Sequence, residues 1–160
     1  MSAYANLTSA GLLMYRIHGG RLQFFLAHPG GPIFQNKDEG HWGIPKGIAH
    51  EGEDLFLTAC REFAEETGLP VPPASAAIPL QTVRLRSGKT VHAWAFEGDW
   101  EEASGITSNL FEMEWPPHSG RRGSYPEIDR AGFFDGATAR IKINPAQVPF
   151  LDRLEQHLGR

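Results

Sequence analysis

The sequence predicts an α+β fold, most simply an α/β/α sandwich in which helices cover a sheet. Short segments with the apolar alternation of β-strands occur along most of the chain, and glycine-containing turns join two pairs of them into hairpins. One amphipathic helix is predicted in the middle and two shorter helices near the end. With 160 residues, of which 41% are hydrophobic, we expect one domain over residues 1–160.

The predicted strands are separated by turns or by long loops. They cover residues 8–17, 21–28, 80–86, 90–97, 110–115 and 131–134. Gly19 and Gly20 favour a tight turn after the first strand, and residues 87–89 favour another after the third. Residues 29–41 and 116–127 contain many glycines and prolines and are predicted to be loops. Loops of this length in a compact domain often carry function.

The predicted helices cover residues 54–67, 136–142 and 145 to about 157. The buried face of the first helix is indicated by apolar residues at helical spacing: Leu55, Phe56, Ala59 and Phe63. Gly68 is a suitable residue to end this helix. Asn144 and Pro145 are suitable as the N-cap and the first residue of the last helix.

Charge and cysteine content limit the class of protein. The net charge of −4 and the pI near 6.0 argue against general nucleic-acid binding. No apolar run is long enough to span a membrane. Cys60 is the only cysteine, so no intrachain disulfide can form. We therefore expect a cytoplasmic protein, as a monomer or a homodimer.

Three glutamates of the first predicted helix form an acidic face. Glu62, Glu65 and Glu66 lie at positions i, i+3 and i+4, within about one 5.4 Å turn. Carboxylates this close repel one another unless a cation lies between them, and oxygen ligands favour Mg²⁺ or Mn²⁺. Arg61 could reach Glu53 and hold the preceding loop. A solvated charged face with ordinary ion pairs is the alternative interpretation.

The spacing around this helix matches a known pattern. Residues 47–69 fit G-x5-E-x7-R-E-U-x-E-E-x-G-U, where U is a bulky apolar residue, and the segment resembles the Nudix box. The matched positions are Gly47, Glu53, Arg61, Glu62, Phe63, Glu65, Glu66, Gly68 and Leu69. The one departure is Phe63, where the pattern prefers an aliphatic residue. Because this position should face the core, we interpret it as a variation in packing.

The resemblance implies a fold, a reaction and a set of site residues. Nudix proteins have a mixed sheet between helices, and most use Mg²⁺ to hydrolyse a diphosphate linked to another moiety, usually a nucleoside. By position, the three carboxylates of the acidic face would bind metal, and Glu62 could also assist the attacking water. The Gly47 carbonyl could add a ligand. Glu53 and Arg61 would complete the catalytic set by holding the loop.

Many family members add a carboxylate from outside the helix, as metal ligand or base. Glu97 is the first candidate because it ends a predicted strand after the box. The rivals are Glu112, Glu114 and Glu127. An ordinary surface charge is an equally good interpretation of each of them.

Substrate-binding residues are expected before and after the box. Residues 42–47 resemble the lead-in of the dinucleoside-polyphosphate and diphosphoinositol hydrolase branches, and Lys46 could neutralise a phosphate. Trp42 and Phe34 could flank a base, although core packing would explain them as well. Three residues of the second long loop could bind distal phosphates and stack a base, or form an exposed basic surface: Arg121, Arg122 and Tyr125.

These observations lead to one main functional hypothesis and two others. The main one is a Mg²⁺-dependent pyrophosphohydrolase, with Mn²⁺ as a possible substitute, acting on a nucleoside or dinucleoside polyphosphate. The second is a non-catalytic Nudix module that senses a nucleotide or binds a protein. The third is an enzyme acting on capped or triphosphorylated RNA ends, which the acidic net charge disfavours.

Overall fold

A computed structural model describes residues 7–160 and confirms the predicted α+β class, with a mixed sheet flanked by helices. The strands are β1 (Thr8–His18), β2 (Arg21–Pro29), β3 (Lys46–Ile48), β4 (Ile78–Arg84), β5 (Thr90–Glu97), β6 (Leu110–Glu114), β7 (Arg122–Pro126) and β8 (Ile128–Asp135). The helices are α1 (Leu55–Thr67), α2 (Gly136–Lys142) and α3 (Val148–Leu158).

The main sheet has six strands and divides in its middle. Its order is β4-β5-β1-β2-β8, and β3 pairs with β1; only the β1–β5 pair is parallel. The last residues of β1 pair with β2, whereas Ser9, Ala10 and Gly11 at its start pair with β3. Strand β2 therefore diverges from β1, and the segment around Gly43, which bonds to Ala27, fills the gap. This division leaves a cleft beside β3.

Two apolar layers lie on opposite faces of the sheet, as the alternation in β1 requires. Leu12 contributes to the layer under α1, and Leu13 contributes to the layer under α2 and α3. Phe63 of α1 is fully buried, and its ring centroid lies 5.3 Å from that of Phe96. The phenylalanine in the box is thus a core residue, and the side chains of Glu62 and Glu66 lie beside it on the part of α1 that faces β3.

The structure corrects several predicted boundaries. Residues 122–126, predicted to be loop, form β7 and pair with β6 in a separate hairpin. The strand predicted at 131–134 extends over Ile128–Asp135 because it pairs along β2. The last helix begins with a 3₁₀ turn at Pro145–Gln147, and α-helical geometry starts only at Val148. Strand pairing, which local composition does not encode, explains the two strand corrections.

None of the helices within residues 7–160 combines the length and apolar character needed to cross a membrane.

Candidate active site

Helix α1 is defined at both ends by its own sequence. Asp54 caps the first turn, because its Oδ1 accepts a hydrogen bond from the Leu57 N–H at 3.1 Å. Gly68 ends the helix in the left-handed conformation, with φ of 75°, and its N–H donates to the Ala64 carbonyl. The acidic residues between these ends are therefore held on a rigid element.

Arg61 joins the loop before α1 to the helix. Its Nε and Nη2 donate to the two carboxylate oxygens of Glu53, each at 3.0 Å. Glu53 also accepts from the His50 N–H at 3.0 Å. Arg61 holds the pKa of the Glu53 carboxyl well below its usual range, so this pair stays ionised. The arrangement agrees with the predicted loop-holding role of both residues.

Glu62 lies against the backbone of β3. Arg61 Nη1 donates to its Oε1 at 2.8 Å, yet burial raises the pKa of the Glu62 carboxyl. A Cβ atom added to Gly47 would overlap this carboxyl group. Only glycine at position 47 therefore allows the carboxylate and the β3 backbone to approach so closely.

Glu66 is the most buried carboxylate of the site. Its residue is 8% exposed, and its Oε2 has no hydrogen-bond partner within residues 7–160. Burial, followed by the charge of Glu62, raises the pKa of Glu66 to about 8, although Lys46 opposes this shift. Buried carboxylate oxygens in folded proteins almost always have a partner, so this oxygen lacks a ligand or a proton.

Glu65 occupies a different position from the other two. Its side chain is 43% exposed, and its Oε2 lies 3.5 Å from Arg61 Nη1. The structure thus brings Glu62 and Glu66 together beside β3 and leaves Glu65 at the solvent-facing rim. The helical spacing alone does not distinguish these environments.

The carboxylate from outside the helix is better assigned to Glu127 than to Glu97. Glu127 lies between β7 and β8, its charge acts on Glu66, and burial followed by the charge of Glu62 raises its own pKa. Glu97 pairs with Tyr15, whereas Gly47 pairs with Ala10. Ala10 and Tyr15 are five residues apart on β1, a separation of about 17 Å at roughly 3.3 Å per residue. Glu97 therefore does not join the acidic cluster.

The two remaining rivals lie on β6, in the separate hairpin. Glu112 is exposed, and Glu114 accepts a hydrogen bond from the His118 N–H at 2.7 Å. Neither residue lines the cavity beside the acidic cluster. Glu127 could not be preferred from sequence because it lies between β7, which pairs with β6, and β8, which pairs with the distant strand β2.

A cavity of about 330 Å³ opens beside the acidic cluster, and we refer to it as the Glu66 cleft. Lys46, Glu66 and Glu127 line one part of it, and Phe34 and Asn144 are among the residues that line the rest. Burial lowers the pKa of the Lys46 ammonium, while the charge of Glu66 opposes this shift. The cleft thus places a cation and carboxylates side by side, which suits a phosphorylated ligand.

The other predicted substrate residues are either buried or lie away from the Glu66 cleft. Trp42 is 5% exposed, and its ring packs in edge contacts with His28 and Phe134. Its Nε1 donates to Asp38 at 2.7 Å, so Trp42 forms part of the cleft wall and is not a platform for a base. The three candidates of the second loop lie on the β6–β7 hairpin and do not line the Glu66 cleft: Arg121, Arg122 and Tyr125.

A larger cavity of about 730 Å³ lies elsewhere, at the outer edge of β8. Its lining includes Arg16, Trp100, Phe133 and Lys142 and contains no residue of the box. Arg16 covers the Phe133 ring at 4.0 Å and pairs with Asp99 at 2.8 Å. Cavity size is therefore a poor guide to the chemistry in this molecule.

The site offers donors of the type that a hard divalent cation requires. Carboxylate oxygens of Glu62 lie beside the Gly47 backbone, and the Oε2 of nearby Glu66 is buried with no partner within residues 7–160. Within residues 7–160, no three metal-binding side chains already form a closed ligand group. Arg61 Nη1 donates to Glu62 at 2.8 Å and to Glu65 at 3.5 Å. The carboxylate oxygens are of the type that binds Mg²⁺ or Mn²⁺, which would add positive charge to that of Arg61 and Lys46.

The fold and the acidic loop–helix site together define a hydrolase of phosphoric anhydride bonds. The chain belongs to the Nudix family, since the family model for the NUDIX domain matches residues 6–135. No curated protein matches it by sequence.

Solved structures show the same fold in several proteins. An Ap4A hydrolase from C. elegans, in a binary complex, has 19% identity and a TM-score of 0.63, with 94% of this chain and 98% of that chain covered. The NUDIX domain of Shewanella oneidensis NrtR complexed with ADP ribose has 16% identity and a TM-score of 0.67, with 99% of this chain and 90% of that chain covered. The C-terminal domain of mouse MUTYH, in complex with human PCNA, has 13% identity and a TM-score of 0.59, with 96% of this chain and 90% of that chain covered.

Proposed function

We propose that this protein is a Mg²⁺-dependent pyrophosphohydrolase of nucleotides, with Mn²⁺ able to replace Mg²⁺. Its substrate would be a nucleoside diphosphate linked to another moiety, with nucleoside and dinucleoside polyphosphates as the first candidates. The observation that carries the proposal is the buried Glu66 Oε2, which has no partner in the described part of the chain and lies near Glu62 in the cleft that Lys46 lines. A catalytically idle surface would not retain a buried carboxylate oxygen without a partner.

The proposed roles follow from the positions of the side chains. Glu62, Glu66 and the Gly47 carbonyl would hold the cation, which when bound neutralises phosphate charge and makes water more acidic. Lys46 would contact a phosphate oxygen from the same cleft. Glu127 would either complete the metal site or accept a proton from the attacking water. Glu65, at the solvent-facing rim, would assist metal binding from outside the cleft.

Two considerations support a nucleotide as the substrate. The Glu66 cleft, at about 330 Å³, is within the range that encloses a small ligand. Two proteins whose folds resemble this one are described by adenine nucleotides: one is named an Ap4A hydrolase, and the NrtR domain is in complex with ADP ribose. Those names describe the other proteins, and for this chain they only suggest which compounds to test first.

The test is a hydrolysis assay on a panel of Ap4A, nucleoside triphosphates, nucleotide sugars, ADP-ribose and diphosphoinositols, with Mg²⁺, with Mn²⁺ or with chelator. We expect metal-dependent release of phosphate products from at least one nucleotide. Glu66→Gln should lower the rate by about a hundredfold or more, because a charged ligand is lost. Glu51→Gln, at an exposed position in the loop before α1, is the matched control and should retain activity.

Three results would change the assignment. Equal rates for wild type and Glu66→Gln would contradict the proposed metal site. Tight nucleotide binding without turnover in either metal would favour the non-catalytic module. Turnover restricted to capped or triphosphorylated RNA would favour the third hypothesis. We further propose that the protein acts in the cytoplasm, since Cys60 has no second cysteine with which to form an intrachain disulfide.

A further inference from the structure

The Glu66 cleft contains two side-chain amides in addition to its charged residues. Asn144 and Gln147 line it from the 3₁₀ turn that precedes α3. Gln147 is only 3% exposed, so its polar atoms are held inside the protein. Neither residue belongs to the box or to the proposed metal and phosphate site.

The orientation of the Gln147 amide is fixed by the backbone. The Ile44 N–H donates to one of its side-chain atoms at 3.0 Å, and because an N–H must meet an acceptor, that atom is the oxygen Oε1. The other atom, Nε2, has no hydrogen-bond partner within residues 7–160, yet it is not sealed from solvent. A Cβ atom added to Gly43 would lie 2.9 Å from both Nε2 and Oε1, so glycine there makes room for the amide.

The Asn144 amide is fixed in the same sense. Its Oδ1 accepts a hydrogen bond from the Ala146 N–H at 3.0 Å, and its own backbone N–H donates to the Trp42 carbonyl at 2.7 Å. No partner of Nδ2 is found in the described part of the chain. In both amides the oxygen is thus used inside the protein, and the NH₂ group is left to donate to a ligand.

A pair of NH₂ donors selects a ligand edge that carries acceptors. Guanine presents two adjacent acceptors, O6 and N7, and thymine or uracil presents one, O4, whereas adenine presents a donor at N6 and cytosine a donor at N4. Lys46 would bind phosphate in the same cleft, and the Phe34 ring is available there for contact with a base. We propose that Asn144 and Gln147 read the O6/N7 edge of a guanine base, so that they determine the base specificity of the site. This inference rests on the proposed function, in that the cleft must accept a nucleotide.

The chain allows substitutions that remove only the donors. Asn144→Asp keeps an oxygen for the Ala146 N–H, and Gln147→Glu keeps one for the Ile44 N–H. Both therefore preserve the internal hydrogen bonds and remove the NH₂ groups. Gln156→Glu, at an exposed position on α3, is the matched control for the added charge. The quantity to measure is the ratio of kcat/KM for GTP to that for ATP, alongside the ratio of the GMP and AMP dissociation constants.

We expect wild type to favour guanine by about tenfold or more, as for other bidentate base contacts. Each cleft variant should bring the ratio close to one, and Gln156→Glu should leave it unchanged. Inosine monophosphate should bind like GMP because it keeps O6 and N7, while 7-deaza-GMP should bind more weakly because it lacks N7.

The inference would be overturned by a wild-type guanine-to-adenine ratio near one, or by a ratio that keeps its wild-type value in both variants. The binding measurements need neither turnover nor metal. If no nucleotide is hydrolysed but GMP still binds tenfold tighter than AMP, the proposed function fails and the base readout stands. The inosine and 7-deaza comparisons use only wild-type protein, so they decide the matter even if a variant does not fold.

Discussion

The Arg61 guanidinium binds Glu53 through two nitrogens, with both N–O distances at 3.0 Å, and so fixes the loop that precedes α1. A third nitrogen of Arg61 donates to Glu62 at 2.8 Å. One side chain thus positions the loop and also one of the proposed metal ligands. Lysine could not reproduce this arrangement, because its ammonium is a single point of donation.

We therefore predict that Arg61→Lys will lower kcat and raise the Mg²⁺ concentration needed for half-maximal activity. The charge is kept, but the fixed geometry is lost. The measurement is a Mg²⁺ titration of the hydrolysis rate. Arg140→Lys is the matched control, since Arg140 pairs with Asp152 and Glu155 in another part of the protein. Equal metal dependence for the wild type and Arg61→Lys would contradict this role.

A second prediction concerns Gly47. Its substitution by alanine would place a methyl group where the Glu62 carboxyl lies, so this carboxylate must move away from β3. We expect Gly47→Ala to remain folded and to lose activity by about a hundredfold or more, similar to the loss on removal of a charged catalytic group. Activity and circular dichroism should be measured together. Ile48→Ala, at an exposed position of β3, should keep near wild-type activity. Full activity in Gly47→Ala would show that the close approach is unnecessary.

The contrast between the box and its surroundings explains what the sequence could predict. Glu62 and Glu66 could be placed on one face of a helix because helical spacing is local. The helix stop at Gly68 was predictable for the same reason. Glu127 was not, because its position depends on the pairing of β7 with β6 and of β8 with β2. For Trp42 the sequence left base contact and core packing open, and the choice depends on contacts between distant segments: its ring is buried against His28 and Phe134.

The same reasoning leads to a third prediction, which separates two carboxylates. Glu127→Gln should reduce kcat by about tenfold or more, since a general acid or base contributes at least that much. Glu97→Gln should leave kcat unchanged, because Glu97 lies at the other end of the sheet from Gly47. Rates measured at saturating Mg²⁺ will compare the two variants directly. A loss in Glu97→Gln and none in Glu127→Gln would reverse the assignment.

The final prediction concerns pH and uses the buried Glu66. In the metal-free protein the pKa of this carboxyl is raised to about 8, mainly by burial, whereas an unfolded glutamate titrates near its ordinary value of 4.5. Between these two values the folded protein binds a proton that the unfolded chain does not. The stabilisation of the folded state by this proton is therefore fully present below pH 4.5 and is lost as the pH rises toward 8. Metal binding requires the ionised carboxylate, so it must displace this proton.

We expect the increase in Tm on adding Mg²⁺ to be small at pH 5 and to grow until about pH 8. The metal-free protein should lose thermal stability over the same range. Thermal unfolding at fixed ionic strength, with Mg²⁺ or with chelator, will measure both effects. In Glu66→Gln the growth of the Mg²⁺ effect with pH should largely disappear, because no proton has to leave that position. An equal pH dependence in wild type and Glu66→Gln would mean that another group controls metal binding.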